Sequence, residues 1–155
     1  MGMRPDTLAK LLDYLRGLGE RHTDIKTSVI QLDFSGLNYD RYPALVVEPD
    51  PFVEGSGEGA NLYRVAFQVL LKPLRTDAAP DVALADRAQQ LADELLQQML
   101  REQMVEQARN SNPTFALIYG TANEGLDTGV RCELALLLPK AINRATNSSK
   151  FTPLP

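Results

Sequence analysis

Apolar residues alternate along residues 62–71. Tyr63, Val65, Phe67, Val69 and Leu71 fall two apart, so an extended chain points all five to one side. Past Pro80 the spacing changes. Leu84, Ala88, Leu91, Leu95 and Met99 recur at steps of three and four, with Leu96 and Leu100 widening the stripe, which predicts a long amphipathic helix ending near Asn110. A lone strand leaves its hydrogen-bond ladder open, and a lone helix of this kind has nothing to bury its stripe against. The pattern therefore predicts a helix lying across a sheet.

The remaining segments fit around that pair. Leu8, Leu11, Leu12, Leu15 and Leu18 form the stripe of a helix over residues 6–19, with Asp6 as N-cap and Gly19 closing its end. Residues 25–34 are rich in β-branched side chains and predict a strand with mixed patterning: Ile25, Thr27 and Val29 share one face, Ile30 and Leu32 the other. Residues 42–47 are a second short strand, which Pro43 can open without losing a needed ladder bond. Residues 48–60 hold two prolines, three glycines and four acids and predict a loop or a long hairpin tip. Asn110 to Pro113 stops the long helix. Residues 114–119 form a short strand, and Val130, Cys132, Leu134, Leu136 and Leu138 alternate in another that Pro139 ends. The expected architecture is α+β: a mostly antiparallel sheet with an N-terminal helix and one long helix packed on one face. Residues 1–139 make one domain, and residues 140–155 an extended C-terminal tail.

Composition narrows the picture only a little. A chain of 155 residues that is 44% hydrophobic can bury a core, and a net charge of −4 argues mildly against non-specific nucleic-acid binding. No apolar run resembles a signal peptide or a membrane span, which predicts a protein made in a reducing cytosol with no membrane partner. The single cysteine, Cys132, sits in an apolar strand and reads as a buried structural thiol.

Candidate chemistry is sparse. His22, the only histidine, lies in a polar loop with no second ligand at a metal spacing. Glu48, Asp50, Glu54 and Glu58 crowd the acidic loop but do not follow a calcium-loop pattern, and Gly55, Gly57 and Gly59 lead into a strand, unlike a nucleotide-binding turn. The acid pairs Asp93/Glu94 and Asp6/Asp13 fall where solvation or capping explains them, and Tyr39, Tyr42 and Tyr119 read as core or interface aromatics. No nucleophile elbow, Walker loop or Cys-x-x-Cys is present, so the reading is of a non-enzyme without cofactor.

The order of elements carries a resemblance. It runs from an N-terminal amphipathic helix to the strand Tyr42-Pro43-Ala44-Leu45-Val46-Val47 and the acidic, glycine-rich loop. The strand Tyr63 to Leu70 follows, then the helix from Leu84 to Met104 and a closing strand, Gly129 to Leu136. This resembles the tail-terminator and tail-completion proteins of tailed bacteriophages and related tail-like particles. The resemblance implies a virion protein assembled in the bacterial host's cytoplasm, a homo-oligomer closing as a ring, usually of six. Such a ring caps the tail tube protein, meets a neck or connector protein, and lets DNA pass through its lumen without specific binding. The acidic residues Glu48, Asp50, Glu54 and Glu58 are then candidates for a docking or lumen-lining loop, and Ile30, Leu32, Phe34 and Phe151 for contacts between subunits. Two alternatives stand beside it: another neck, head-closure or tail structural protein, and a cytosolic small-molecule-binding domain using the long loop as a lid.

Overall fold

The computed structural model describes residues 4–31, 34, 39–55, 59–72, 81–109, 111–118, 127–139, 150, 152 and 154. In chain order its elements are α1 (Leu8–Arg21), β1 (Thr27–Ile30), a 3-10 turn (Tyr39–Arg41), β2 (Ala44–Val47), β3 (Phe52–Gly55), β4 (Ala60–Leu71), α2 (Val82–Glu102), β5 (Glu106–Gln107), β6 (Thr114–Ile118) and β7 (Thr128–Pro139). The long strands β4 and β7 pair antiparallel along their whole length and form the centre of the sheet. On the far side of β4, β2 and β3 lie end to end. On the outer side of β7, β5 and β6 do the same. β1 adds to β2 in parallel, the one parallel pairing among the described strands.

Both helices pack on the same face of the sheet, as the α+β reading expects. Leu11, Leu15 and Leu18 of α1 and Ala88, Leu91, Leu95 and Met99 of α2 meet the inward side chains of the two central strands. Those are Val65, Phe67, Val69 and Leu71 from β4, and Val130, Cys132, Leu134, Leu136 and Leu138 from β7. The two alternating patterns in the sequence are thus the floor of one core. Each large apolar side chain sealed there contributes about 1.5–3 kcal/mol. A smaller apolar cluster sits on the opposite face, where Tyr42, Ala44, Val46 and Leu70 gather with Val29, Phe34 and Ile118.

Several boundaries differ from the sequence reading. The N-cap of α1 is Thr7, whose hydroxyl accepts from the Lys10 N–H, while Asp6 pairs with the Lys10 ammonium at 2.8 Å. Gly19 does not end the helix. It lets α1 settle on the sheet, because a Cβ there would stand 2.4 Å from Ser28 Oγ and 2.6 Å from Leu45 Cδ2. β1 is limited to four residues because β2, its only partner among the described strands, has four. Within β1, Ile30 reaches the main core and Val29 the second cluster, while Ile25 reaches the main core from outside the strand, so the grouping of Ile25 with Val29 fails. α2 stops at Glu102, well before Asn110. Gln103 takes a left-handed φ of 53° and its N–H returns to the Met99 carbonyl, which frees the chain to pair as β5. The segment expected as loop or hairpin tip includes β3, a short arm folded back on β4.

Candidate interaction surface

The acidic residues singled out in the sequence do not converge. Glu48 continues the edge of β2, its N–H donating to the Ala66 carbonyl. Its carboxylate accepts from Arg131 Nε and Nη2 at 2.7 and 2.9 Å and from Gln68 Nε2 at 3.2 Å. Arg131 also donates to Glu133 at 3.1 Å. These bonds, from Arg131 above all, hold the Glu48 carboxyl below its usual range and push the Arg131 guanidinium up. The result is a polar brace across three strands on the face away from the helices. Glu54 is exposed on β3 with Arg64 Nε at 3.7 Å, Asp50 is exposed beside it, and Glu58 lies outside the described residues.

Of the four proposed contact residues, Leu32 and Phe151 lie outside the described residues. Ile30 is half-buried against the main core. Phe34 meets the Tyr42 ring edge-on at 5.7 Å, with the Arg41 guanidinium 5.0 Å over the Phe34 ring and the Lys72 ammonium 5.6 Å from the Tyr42 ring. Near this end of the sheet Asp127 is buried, and its Oδ1 has no hydrogen-bond partner. Burial raises its pKa, against the opposing effects of the Tyr42 hydroxyl and the Lys72 charge. Tyr119 lies outside the described residues, and only the backbone of Tyr39 is described.

A second polar cluster escaped the sequence reading because its members are far apart in the chain. His22 is the C-cap of α1 and no solvated loop residue. The Asp24 N–H donates to its Nδ1, which leaves the proton on Nε2 to bridge Glu94 at 2.7 Å. Beside it, Glu102 accepts from Arg21 Nη1, from Arg21 Nη2 at 2.8 Å, from the Tyr14 hydroxyl at 2.6 Å and from Gln98 at 2.9 Å. The Glu102 carboxyl is held down at about 2, chiefly by Arg21, while burial and the neighbouring Glu102 push the Tyr14 hydroxyl up. Of these groups Arg21, His22, Glu94 and Gln98 line a cleft of about 530 Å³ between the helices, together with Thr23, Gln97 and Arg101.

The two flanks of α2 differ in character. Its α1 side carries Arg87, Glu94, Gln98 and Glu102, which engage Asp24, His22 or one another. At 3.6 residues per turn the opposite flank carries Val82, Gln89, Asp93, Leu96 and Leu100. Val82 is 58% exposed, and Leu100, expected in the buried stripe, is 56% exposed. α2 lies over β4 and β7 and stops short of β6. Phe115 and Leu117 pair with Cys132 and Val130, so they share the helix-side face, yet they are 38% and 51% exposed. Phe115 and Leu117 thus form an apolar margin along the β6 edge, while Val82 and Leu100 are exposed on the α2 flank away from α1. Cys132 beneath is sealed, its thiol pushed up to about 12 by burial first and by the Asp93 charge second.

Among the described residues no group of three His, Cys, Asp or Glu side chains is placed to hold a metal ion. No described helix is long and apolar enough to cross a membrane. No protein-family model and no curated protein matches the chain.

Proposed function

We propose that this chain is a structural subunit that closes into a ring with copies of itself, in the manner of a tail terminator or tail-completion protein of a tailed phage or related particle. The observation that supports the reading is the apolar margin of Phe115 and Leu117 on β6, with Val82 and Leu100 also exposed on α2. Large apolar side chains left open on one strand edge mark a surface that another protein covers. A ring needs heterologous contacts, in which this margin meets a different surface of the next copy. In this reading the ring caps the tail tube, joins it to a neck protein and lets DNA through. The exposed acids Asp50 and Glu54 belong to the docking or lumen surface. The test is the native mass of the purified protein, alone and with tail-tube protein. A ring of about six subunits, in solution or on tube ends, is expected. A monomer that ignores tube protein refutes the proposal.

A second reading, binding of a small molecule, draws on the cleft between α1 and α2 with its mixed lining of Arg21, His22, Glu94, Gln98 and Arg101. It predicts a small polar compound that raises the thermal midpoint of the wild-type chain but not of Arg101→Ala.

A further inference from the structure

The two ends of the sheet match. Following the pairings across it, Thr27 shares a rung with Ala44, Leu70, Gly129 and Ile118. At the other end of β1, Ile30 shares a rung with Val47, Phe67, Cys132 and Phe115. The four residues of β1 and the last four of β6 therefore span the same rungs on opposite edges. One parallel and three antiparallel steps separate them, so β1 runs antiparallel to β6. Neither strand contains a charge or a proline, the usual guards of an exposed edge. The other outer strands are guarded by a charge within the strand: β3 carries Glu54 and β5 carries Glu106.

Resting on the ring reading, we infer that the β1 edge of one copy pairs antiparallel with the β6 edge of the next, continuing the sheet from subunit to subunit. Same-rung pairing places Ile30 of the neighbouring copy opposite Phe115 and its Ser28 opposite Leu117 on the helix side. On the other face it places Val29 opposite Ala116 and Thr27 opposite Ile118. Faces agree throughout, since Ile30 lies on the main-core side and both Val29 and Ile118 on the second-cluster side. Aliphatic–aromatic contact is thus made where Phe115 is open in the single chain.

The helices add cover over the joint. The flank of α1 away from Tyr14 carries Arg16, whose carbonyl accepts from the Ser28 hydroxyl at 2.6 Å, so it lies over β1. Its guanidinium pairs within α1, with Asp13 at 3.1 Å and Glu20 at 3.5 Å. Continuing the sheet brings the neighbour's α1, which lies over β1, toward Phe115 and Leu117. The occupant of the apolar margin is therefore a second copy, presenting α1 and β1.

Cysteine trapping tests this. Val29→Cys and Ala116→Cys proteins, made separately and mixed under a mild oxidant, are expected to give a covalent heterodimer, with neither variant cross-linking to itself. Native Cys132 is buried and does not compete. Leu117→Glu, at an exposed site that leaves the fold intact, is expected to weaken association about tenfold or more. Wild-type rings with no mixed cross-link, and unaffected by Leu117→Glu, overturn the edge pairing and leave the ring reading standing. Covalent homodimers of Ala116→Cys alone overturn it in favour of a two-fold β6–β6 contact. A wild-type monomer under every condition, tail-tube protein included, overturns both.

Discussion

Glu102 fastens α1 to α2, and replacing it with glutamine separates charge from packing. The carboxylate gathers Arg21, Tyr14 and Gln98, and its side chain is 18% exposed, whereas that of Arg21 is 54% exposed. A carboxyl lowered from 4.5 to about 2 corresponds, taken at face value, to about 3 kcal/mol. Solvent reaching Arg21 screens the pair, and glutamine keeps part of the Tyr14 contact, so the net loss is about 1–2 kcal/mol. For a chain of this size that lowers the thermal midpoint by roughly 3–6 °C at pH 7. The folded pKa lies below the unfolded one, so this stabilisation is complete above about pH 4.5 and disappears as pH falls toward 2. Circular-dichroism melts of wild type and Glu102→Gln at pH 7 and near pH 2.5 measure both effects. Equal midpoints at pH 7, or a gap that persists undiminished in acid, would refute the assignment.

Other sites give predictions of different sign. Asp127→Asn raises the midpoint at pH 7, because burial raises the folded pKa of Asp127 and the charged form carries the penalty. That gain fades as pH falls through the folded pKa toward 3.8, where wild type is protonated too, and melts at the two pH values show it. Gly129→Ala puts a Cβ 2.0 Å from the Val69 carbonyl oxygen, inside the β4–β7 ladder, and costs about 2–3 kcal/mol in urea denaturation; a loss under about 0.5 kcal/mol contradicts it. Cys132, sealed and with its thiol pushed up to about 12, reacts with an aromatic disulfide reagent only after unfolding. Stoichiometric labelling of the native protein at neutral pH contradicts this.

The elements most legible in the sequence are those whose period repeats long enough to be unambiguous. The two-residue alternation of β4 and β7 and the three- and four-residue stripes of α1 and α2 all reappear in one core. Two short pieces, β3 and β5, were not legible, for physical reasons. β3 and β5 are strands because β4 and β7 offer them an open edge, and nothing local in Phe52-Val53-Glu54-Gly55 or Glu106-Gln107 demands extension. Leu100 continues the apolar period of α2 yet is 56% exposed among the described residues. The contacts of Glu48 with Arg131 and of His22 with Glu94 join residues 83 and 72 positions apart, which no spacing argument can bring together. The candidate interaction surface was illegible for a related reason. Phe115 and Leu117 look like core residues until the sheet shows that α2 ends its cover one strand too soon.

The union of β4 and β7 also sets a timetable for the chain's birth on the ribosome. Their paired residues lie roughly 60–80 positions apart, and at about 5–20 residues per second β4 is extruded about 3–15 s before its partner exists. During that interval Val65, Phe67, Val69 and Leu71 have no central strand beside them, while α2 can already coil and lie across them. Closing so wide a gap is slow, which places this domain among folders limited by long-range pairing. Lower growth temperature is therefore expected to raise its soluble yield, and an unchanged yield would argue against this timetable.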